Sequence, residues 1–178
     1  NFVINGQVDV HNVRLLGWHR NNDGMTVGEG SSVTHLFAKV NDDVVKLYYS
    51  DISVDDVVIW QQPPGAAFQL SWNIPRDAIG AHVSNVDIIH TDRTAGSFDN
   101  RNIVDSVVSA RNYNGGSTSN FLFEDFRVEG QAYQLFGIHL RDGLPGFDSG
   151  DGFIDGIVFR NFQVDTAPLV PSYLNGNG

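Results

Sequence analysis

The sequence predicts an all-β right-handed parallel β-helix, and three observations carry the prediction. First, short β-branched and aromatic runs, each led by a small polar residue, recur along the chain: NVRLLGW (12–18), SVTHLFA (32–38), DVVIW (56–60), NVDIIH (85–90), NFLFEDF (120–126) and GIVFRNF (156–162). Their anchors, Val13, Val33, Val57, Val86, Phe121 and Ile157, are 20, 24, 29, 35 and 36 positions apart, a period with lengthening loops that marks a solenoid. Second, Gly, Asn, Asp and Ser interrupt the chain every few residues, and no segment holds helical apolar spacing for three turns. Third, runs such as Val57-Val58-Ile59 are continuously apolar, as strands buried inside a coil are.

Taken in order, Phe2-Val3-Ile4 already reads as a strand, so residue 1 is expected to lie inside a longer protein. The stretches TDRTAGSFDNRN (91–102) and RDGLPGFDSGDG (141–152) are expected as loops that wall one face of the solenoid. Residues 1–166 are assigned to the β-helix, and APLVPSYLNGNG (167–178), rich in Pro and Gly, to an extended surface tail. An immunoglobulin-like sandwich would space its strands by ~8–12 residues with hairpin turns, and only NYNGGS (112–117) resembles a hairpin.

Composition narrows the function. The chain has 178 residues, 41% of them hydrophobic and 18% charged, enough to bury a core as one domain. A net charge of −10 argues against nucleic acid, whose binding needs clustered Lys and Arg, and favours a neutral substrate or a cation. With no cysteine, the chain has no disulfide, zinc thiolate site or thiol nucleophile. No apolar run approaches the ~20 residues of a membrane helix, and no basic-then-apolar signal segment opens the sequence.

Carboxylates concentrate in NNDGM (21–25) and VNDDVVKLYYS (40–50). The 20-residue interval between Val13 and Val33 stacks Asp23 on Asp43 and Asn22 on Asp42 in neighbouring coils, about 4.8 Å apart. Crowded carboxylates raise one another's pKa, and a protonated carboxyl beside an ionised one is what glycosidic cleavage uses. A polar ladder at a β-helix turn, with Asp-Gly as an ordinary turn pair, is the competing reading.

Lys46 falls on the same strand face as Asp42 and would hold neighbouring carboxylates ionised or bind a sugar hydroxyl. Trp18, Tyr48, Tyr49, Trp60 and Trp72 offer flat apolar faces to a pyranose, and Gln62, Gln69 and Asn73 offer paired donors and acceptors to neutral hydroxyls. Asp148, Asp151 and Asp155 form an acidic loop without the alternating spacing of a calcium loop. The histidines form no H-x-x-x-H pair, and neither a phosphate loop nor a G-x-S-x-G nucleophile is present.

In order along the chain stand N-x-D-G (Asn21 to Gly24), D-D-x-x-K-x-Y (Asp42 to Tyr48), I-W-Q (Ile59 to Gln61) and Q-x-x-W (Gln69 to Trp72). This set resembles the active-site region of glycoside hydrolase family 49, the dextranase and isopullulanase family, over about residues 12–93. The resemblance implies a right-handed parallel β-helix preceded by a β-sandwich, and inverting hydrolysis of α-glucans by three aspartates. Asp42 would be the general acid, and Asp23 with Asp43 would hold and deprotonate the water.

The expectation is therefore a secreted, monomeric endo-dextranase, associated with any further parts of its parent chain. It would act on a neutral polysaccharide with no cofactor and no metal, using Asp42, Asp23 and Asp43 as catalysts and Lys46, Tyr48, Trp60, Gln62, Gln69 and Trp72 as sugar contacts. An isopullulanase is the nearest alternative. Polygalacturonase-like enzymes are disfavoured by the missing R-I-K and G-H-G motifs, and a non-catalytic carbohydrate-binding or adhesion β-helix is the rival of another class.

Overall fold

A computed structural model describes residues 1–72, 76–92, 105–112, 116–140 and 152–175, with backbone alone at Asn112, Leu140 and Asn175. Within these residues sixteen strands, numbered β1 to β16 along the chain, are joined by parallel pairing alone. The fold is a parallel β-helix.

One seven-stranded sheet stacks β1 (Phe2–Val3), β3 (Met25–Thr26), β5 (Val45–Lys46), β7 (Phe68–Ser71), β10 (Ser106–Asn112), β13 (Gln134–Leu140) and β16 (Tyr173–Asn175). The opposing six-stranded sheet stacks β2 (Asp9–Leu16), β4 (Ser32–Val40), β6 (Ser53–Gln61), β9 (His82–Thr91), β12 (Leu122–Val128) and β15 (Val158–Val164). From the fourth coil a third sheet, β8 (Ala78–Ile79), β11 (Thr118–Ser119) and β14 (Ile154–Asp155), is inserted between them. The segment from Ala167, expected as a tail, donates the Leu169 and Val170 amides to the Ala132 and Tyr133 carbonyls before β16 joins the seven-stranded sheet.

The core is a set of columns. Val10, Val33, Val54, Val83, Phe123 and Phe159 lie side by side on successive strands, as do Val13, Leu36, Val57, Val86, Phe126 and Phe162. The columns change from aliphatic to aromatic between β9 and β12, one coil after the third sheet begins. Phe126 stacks on Phe162 at 4.4 Å, Phe123 on Phe159 at 5.4 Å, and Phe68 meets Phe123 and Phe126 from the opposite sheet.

A polar residue at the head of each run or inside it has a defined task. Asn12, His35, Asp56, Asn85, Asp125 and Asn161 all have φ between 51° and 58° and bend the six strands at one level, immediately before the second column. Asn and Asp tolerate this left-handed conformation better than other side chains. Their side chains also join the coils, as where Asn161 donates to Asp125 and Asn85 to Asp55.

This column corrects the expected register. Val57 does lie beside Val86, but Val13 lies beside Leu36 rather than Val33, and Val86 beside Phe126 rather than Phe121. The first interval is thus 23 residues on the six-stranded sheet, whereas Met25 pairs with Val45, 20 residues on, in the seven-stranded sheet. From the paired positions Leu16 and Lys39 to the paired positions Met25 and Val45 the chain takes nine residues in the first coil and six in the second, and the Asp23 to Asp43 offset of 20 arises from that difference. The loops expected at 91–102 and 141–152 lie outside the described residues except for Thr91, Asp92 and Gly152, as do Asn73, Asp148 and Asp151. No helix of the described residues is long and apolar enough to cross a membrane.

Candidate active site

The three aspartates sit where the chain turns from the six-stranded into the seven-stranded sheet. Asp23 ends the first turn, before β3, and Asp42-Asp43 lead into β5. The Gly24 amide donates to the Asp43 carbonyl at 2.8 Å, which locks the two turns in the 20-residue register. Gly24 lies so near the Val44 carbonyl that a Cβ on it would stand 2.2 Å from that oxygen. On the other side of the pair, a Cβ on Gly65 would stand 1.9 Å from the Asp42 carbonyl carbon and 2.1 Å from the Asp43 nitrogen. Two glycines therefore allow three turns to close on the carboxylates, and the Asp-Gly pair is needed for that contact as well as for the turn.

One oxygen from each of Asp23, Asp42 and Asp43 lies within 4.8 Å of the others, and this is the one such acidic group among the described residues. Carboxylates this close attract a cation, and Lys46 supplies it. Its Nζ stands 3.1 Å from Asp23 and 3.7 Å from Asp43. Val45 faces the core, so Lys46 projects from the outer face of β5 toward the group.

Burial separates the two members of the pair. Asp43, 6% exposed, is pushed up to about 6 by burial and then by the charge of Asp42, although the Ala66 amide donates to its Oδ1 at 3.0 Å and Lys46 opposes the rise. Asp42 is half-buried, and its carboxyl is raised by burial and by Asp23. Its Oδ1 also accepts the Asp43 amide at 2.9 Å. The arrangement offers an accessible carboxyl that favours its proton, beside a buried carboxyl and a lysine-paired carboxylate.

Tyr48 lies two residues beyond Lys46 on the same face, and its buried hydroxyl has no hydrogen-bond partner. Burial, together with Asp43, Asp23 and Asp42, holds the phenol well above its ordinary value, so it stays a neutral donor.

No protein-family model matches the chain. It is 35% identical over 95 residues to a dextranase of Arthrobacter globiformis, covering 50% of this chain and 15% of that protein. It is 27% identical over 129 residues to an isopullulanase of Aspergillus niger, covering 66% of this chain and 22% of that protein. Among solved structures it resembles Dex49A from Penicillium minioluteum with a TM-score of 0.61 and 25% identity, over 87% of this chain and 25% of that one. The chain thus spans a quarter or less of the length of these relatives.

These similarities support membership of glycoside hydrolase family 49.

Around the three aspartates, the expected sugar contacts divide. Trp72 follows β7, is 37% exposed, and has the Arg111 guanidinium 5.4 Å from its ring centroid. Trp60 does not present a free face. Lys39, Trp60 and His90 stand at one level on β4, β6 and β9, with Lys39 Nζ 3.5 Å from the indole centroid on one side and the His90 ring at 4.6 Å on the other. Gln62 is tied down as well: its Nε2 donates to Asp92 Oδ2 at 3.1 Å, beside the Trp60 Nε1 donation at 2.9 Å. Asp92, which also lies 3.0 Å from His90 Nε2, organises this cluster and has no motif that announces it.

Gln69 has no exposed surface and cannot touch a sugar directly. It lies beside Lys46 in the register between β5 and β7, with its amide 3.4 Å from Asp43 Oδ1. Trp18 is 68% exposed on the turn that carries Asp23, and Tyr49 packs on the core. Asp155 accepts the amide of Gly156 at 2.8 Å, an ordinary turn contact.

Proposed function

We propose that this chain carries the catalytic centre of a secreted endo-dextranase that hydrolyses α-1,6-glucosidic links by inversion. The observation that carries the reading is the division of labour among Asp42, Asp43 and Asp23 with Lys46 between the last two. Asp42, accessible and disposed to keep its proton, donates it to the glycosidic oxygen as the bond to the anomeric carbon breaks. Water attacks that carbon from the opposite face, and its proton passes to the Asp23–Asp43 side. Lys46 balances the charge there, and the Tyr48 hydroxyl is a donor in search of a sugar oxygen.

Inverting pairs stand ~6.5–9.5 Å apart and retaining pairs ~5–5.5 Å. The nearest oxygens of the three carboxylates lie within 4.8 Å, so inversion requires Asp42 to turn outward to the leaving oxygen while the Lys46-bound group keeps the water. The acidic chain suits a neutral polysaccharide, and a polymer that does not enter cells calls for an enzyme outside them. The dextranase relatives support dextran as substrate, and the longer match to the isopullulanase makes pullulan the second candidate.

The test is reducing-end release from dextran and pullulan by the chain and by its Asp42→Asn variant. Release from dextran that the substitution abolishes, with folding and glucan binding kept, is the expected result. A folded chain that releases nothing from either polymer, or a variant that remains active, overturns the reading in favour of a binding or structural β-helix.

A further inference from the structure

Gln69 is a fully buried amide next to a reaction centre, and its orientation has a chemical consequence. If Nε2 points at Asp43, it makes one long contact, 3.4 Å to Oδ1. If the amide is turned over, Nε2 donates to the carbonyls of Ser71 at 2.8 Å and Ser109 at 2.9 Å, and the carbonyl oxygen takes the place 3.4 Å from Asp43 Oδ1. Two short bonds outweigh one long one, and leaving two buried carbonyls without this donor is costly. The turned-over amide is the favoured one.

Asp43 Oδ1 also accepts the Ala66 amide at 3.0 Å, and in that orientation it and the Gln69 carbonyl oxygen face each other at 3.4 Å. They repel when Asp43 is ionised, and a proton between them removes the repulsion. The other Asp43 oxygen faces the Lys46 ammonium at 3.7 Å, which disfavours a proton on that side. We infer that Gln69 is a positioning residue whose side-chain carbonyl, clamped toward Asp43 by the Ser71 and Ser109 carbonyls, keeps a proton on Asp43 Oδ1.

The groups that face Asp43 from the packed turns are Asp23 of the first coil, Asp42, Lys46 and Tyr48 of the second, and Gln69 with the Ala66 amide of the third. With the proton on Asp43, Asp23 is left as the ionised partner of Lys46 and as the group that receives the proton of the attacking water. That last step rests on the hydrolytic reading above, whereas the Gln69–Asp43 arrangement does not.

The experiment is carbon-detected NMR titration of the Asp43 carboxyl in the chain and in Gln69→Met, which removes the acceptor at similar volume. The expected result is a midpoint near 6 in the parent that falls by about one unit in the variant, because the protonated form has lost its acceptor. A midpoint that stays or rises overturns the inference, since loss of an Nε2 donor to the carboxylate would raise it. The parent alone gives a second measurement that needs no substitution: the Gln69 side-chain carbonyl carbon must titrate with Asp43, and its two amide protons must show contacts to Ser71 and Ser109. Amide protons that instead contact Asp43 overturn it. A chain that titrates as expected yet releases no sugar keeps this inference and overturns only the hydrolytic reading.

Discussion

A Cβ on Gly65 would stand 1.9 Å from the carbonyl carbon of Asp42. The third turn thus lies directly on the backbone of the carboxylate pair, and the same contact brings the Ala66 amide to Asp43 Oδ1. Gly65→Ala forces the third turn away from the second. Overpacking of this kind costs about 1–3 kcal/mol, and it should also withdraw the Ala66 hydrogen bond. The expected outcome is a lowered Tm by calorimetry with at least a tenfold loss of glucan hydrolysis, while Gly6→Ala, with nothing within 4 Å of its Cβ, should cost less and leave activity alone.

The buried Asp43 carboxyl gives stability a defined pH dependence. Its folded value, about 6, exceeds its ordinary value of 3.8, so folding favours the protonated form. The associated stability is complete below about pH 4 and is lost as pH rises through about 6. Asp43→Asn removes that loss, and the variant should gain on the parent by about 2 kcal/mol between pH 4 and pH 7, with no further gain above. Denaturant unfolding of both proteins at pH 4, 5.5 and 7 measures the difference, and a gap that narrows with rising pH contradicts the assignment.

The two tryptophans expected to bind sugar should behave differently. Trp72 is partly exposed, whereas Trp60 is enclosed between Lys39 and His90. Trp72→Ala should weaken dextran-oligosaccharide binding by up to about tenfold with little effect on Tm. Trp60→Ala should lower Tm by removing the indole on which Asp92, Lys39 and His90 converge, and affinity per folded molecule should change less. Calorimetric titration alongside thermal melts separates the two.

The solenoid and the meeting of Asp23 with Asp43 were legible because β-branched runs and polar bends recur at coil length. The register of the columns was less so. Any apolar residue near the expected distance passes for an anchor, and Val33 is a plausible partner for Val13 until the left-handed Asn12 and His35 are aligned. The 20-residue offset at the site came out correctly because the seven-stranded sheet keeps it even though the six-stranded sheet does not.

The side-chain environments were harder still. Trp60 at a strand end reads as a sugar platform, but its faces are decided by Lys39 and His90, which are 21 and 30 residues away and adjacent only after coiling. Gln69 reads as a polar contact, and its complete burial depends on neighbouring coils. Gly65 reads as a turn residue in PPGAA, yet its contact with Asp42 exists only between turns.

In the proposed mechanism Asp42 protonates the leaving oxygen while the Asp23–Lys46–Asp43 group delivers water from the opposite face. Proton NMR of the new reducing ends in the first minutes of dextran digestion, before mutarotation mixes the anomers, is its sharpest test. Inversion of an α-link predicts β-anomeric ends first, and none from Asp42→Asn. Ends that appear first as the α-anomer would contradict this mechanism, because they require a covalent intermediate and a carboxylate nucleophile in this cluster.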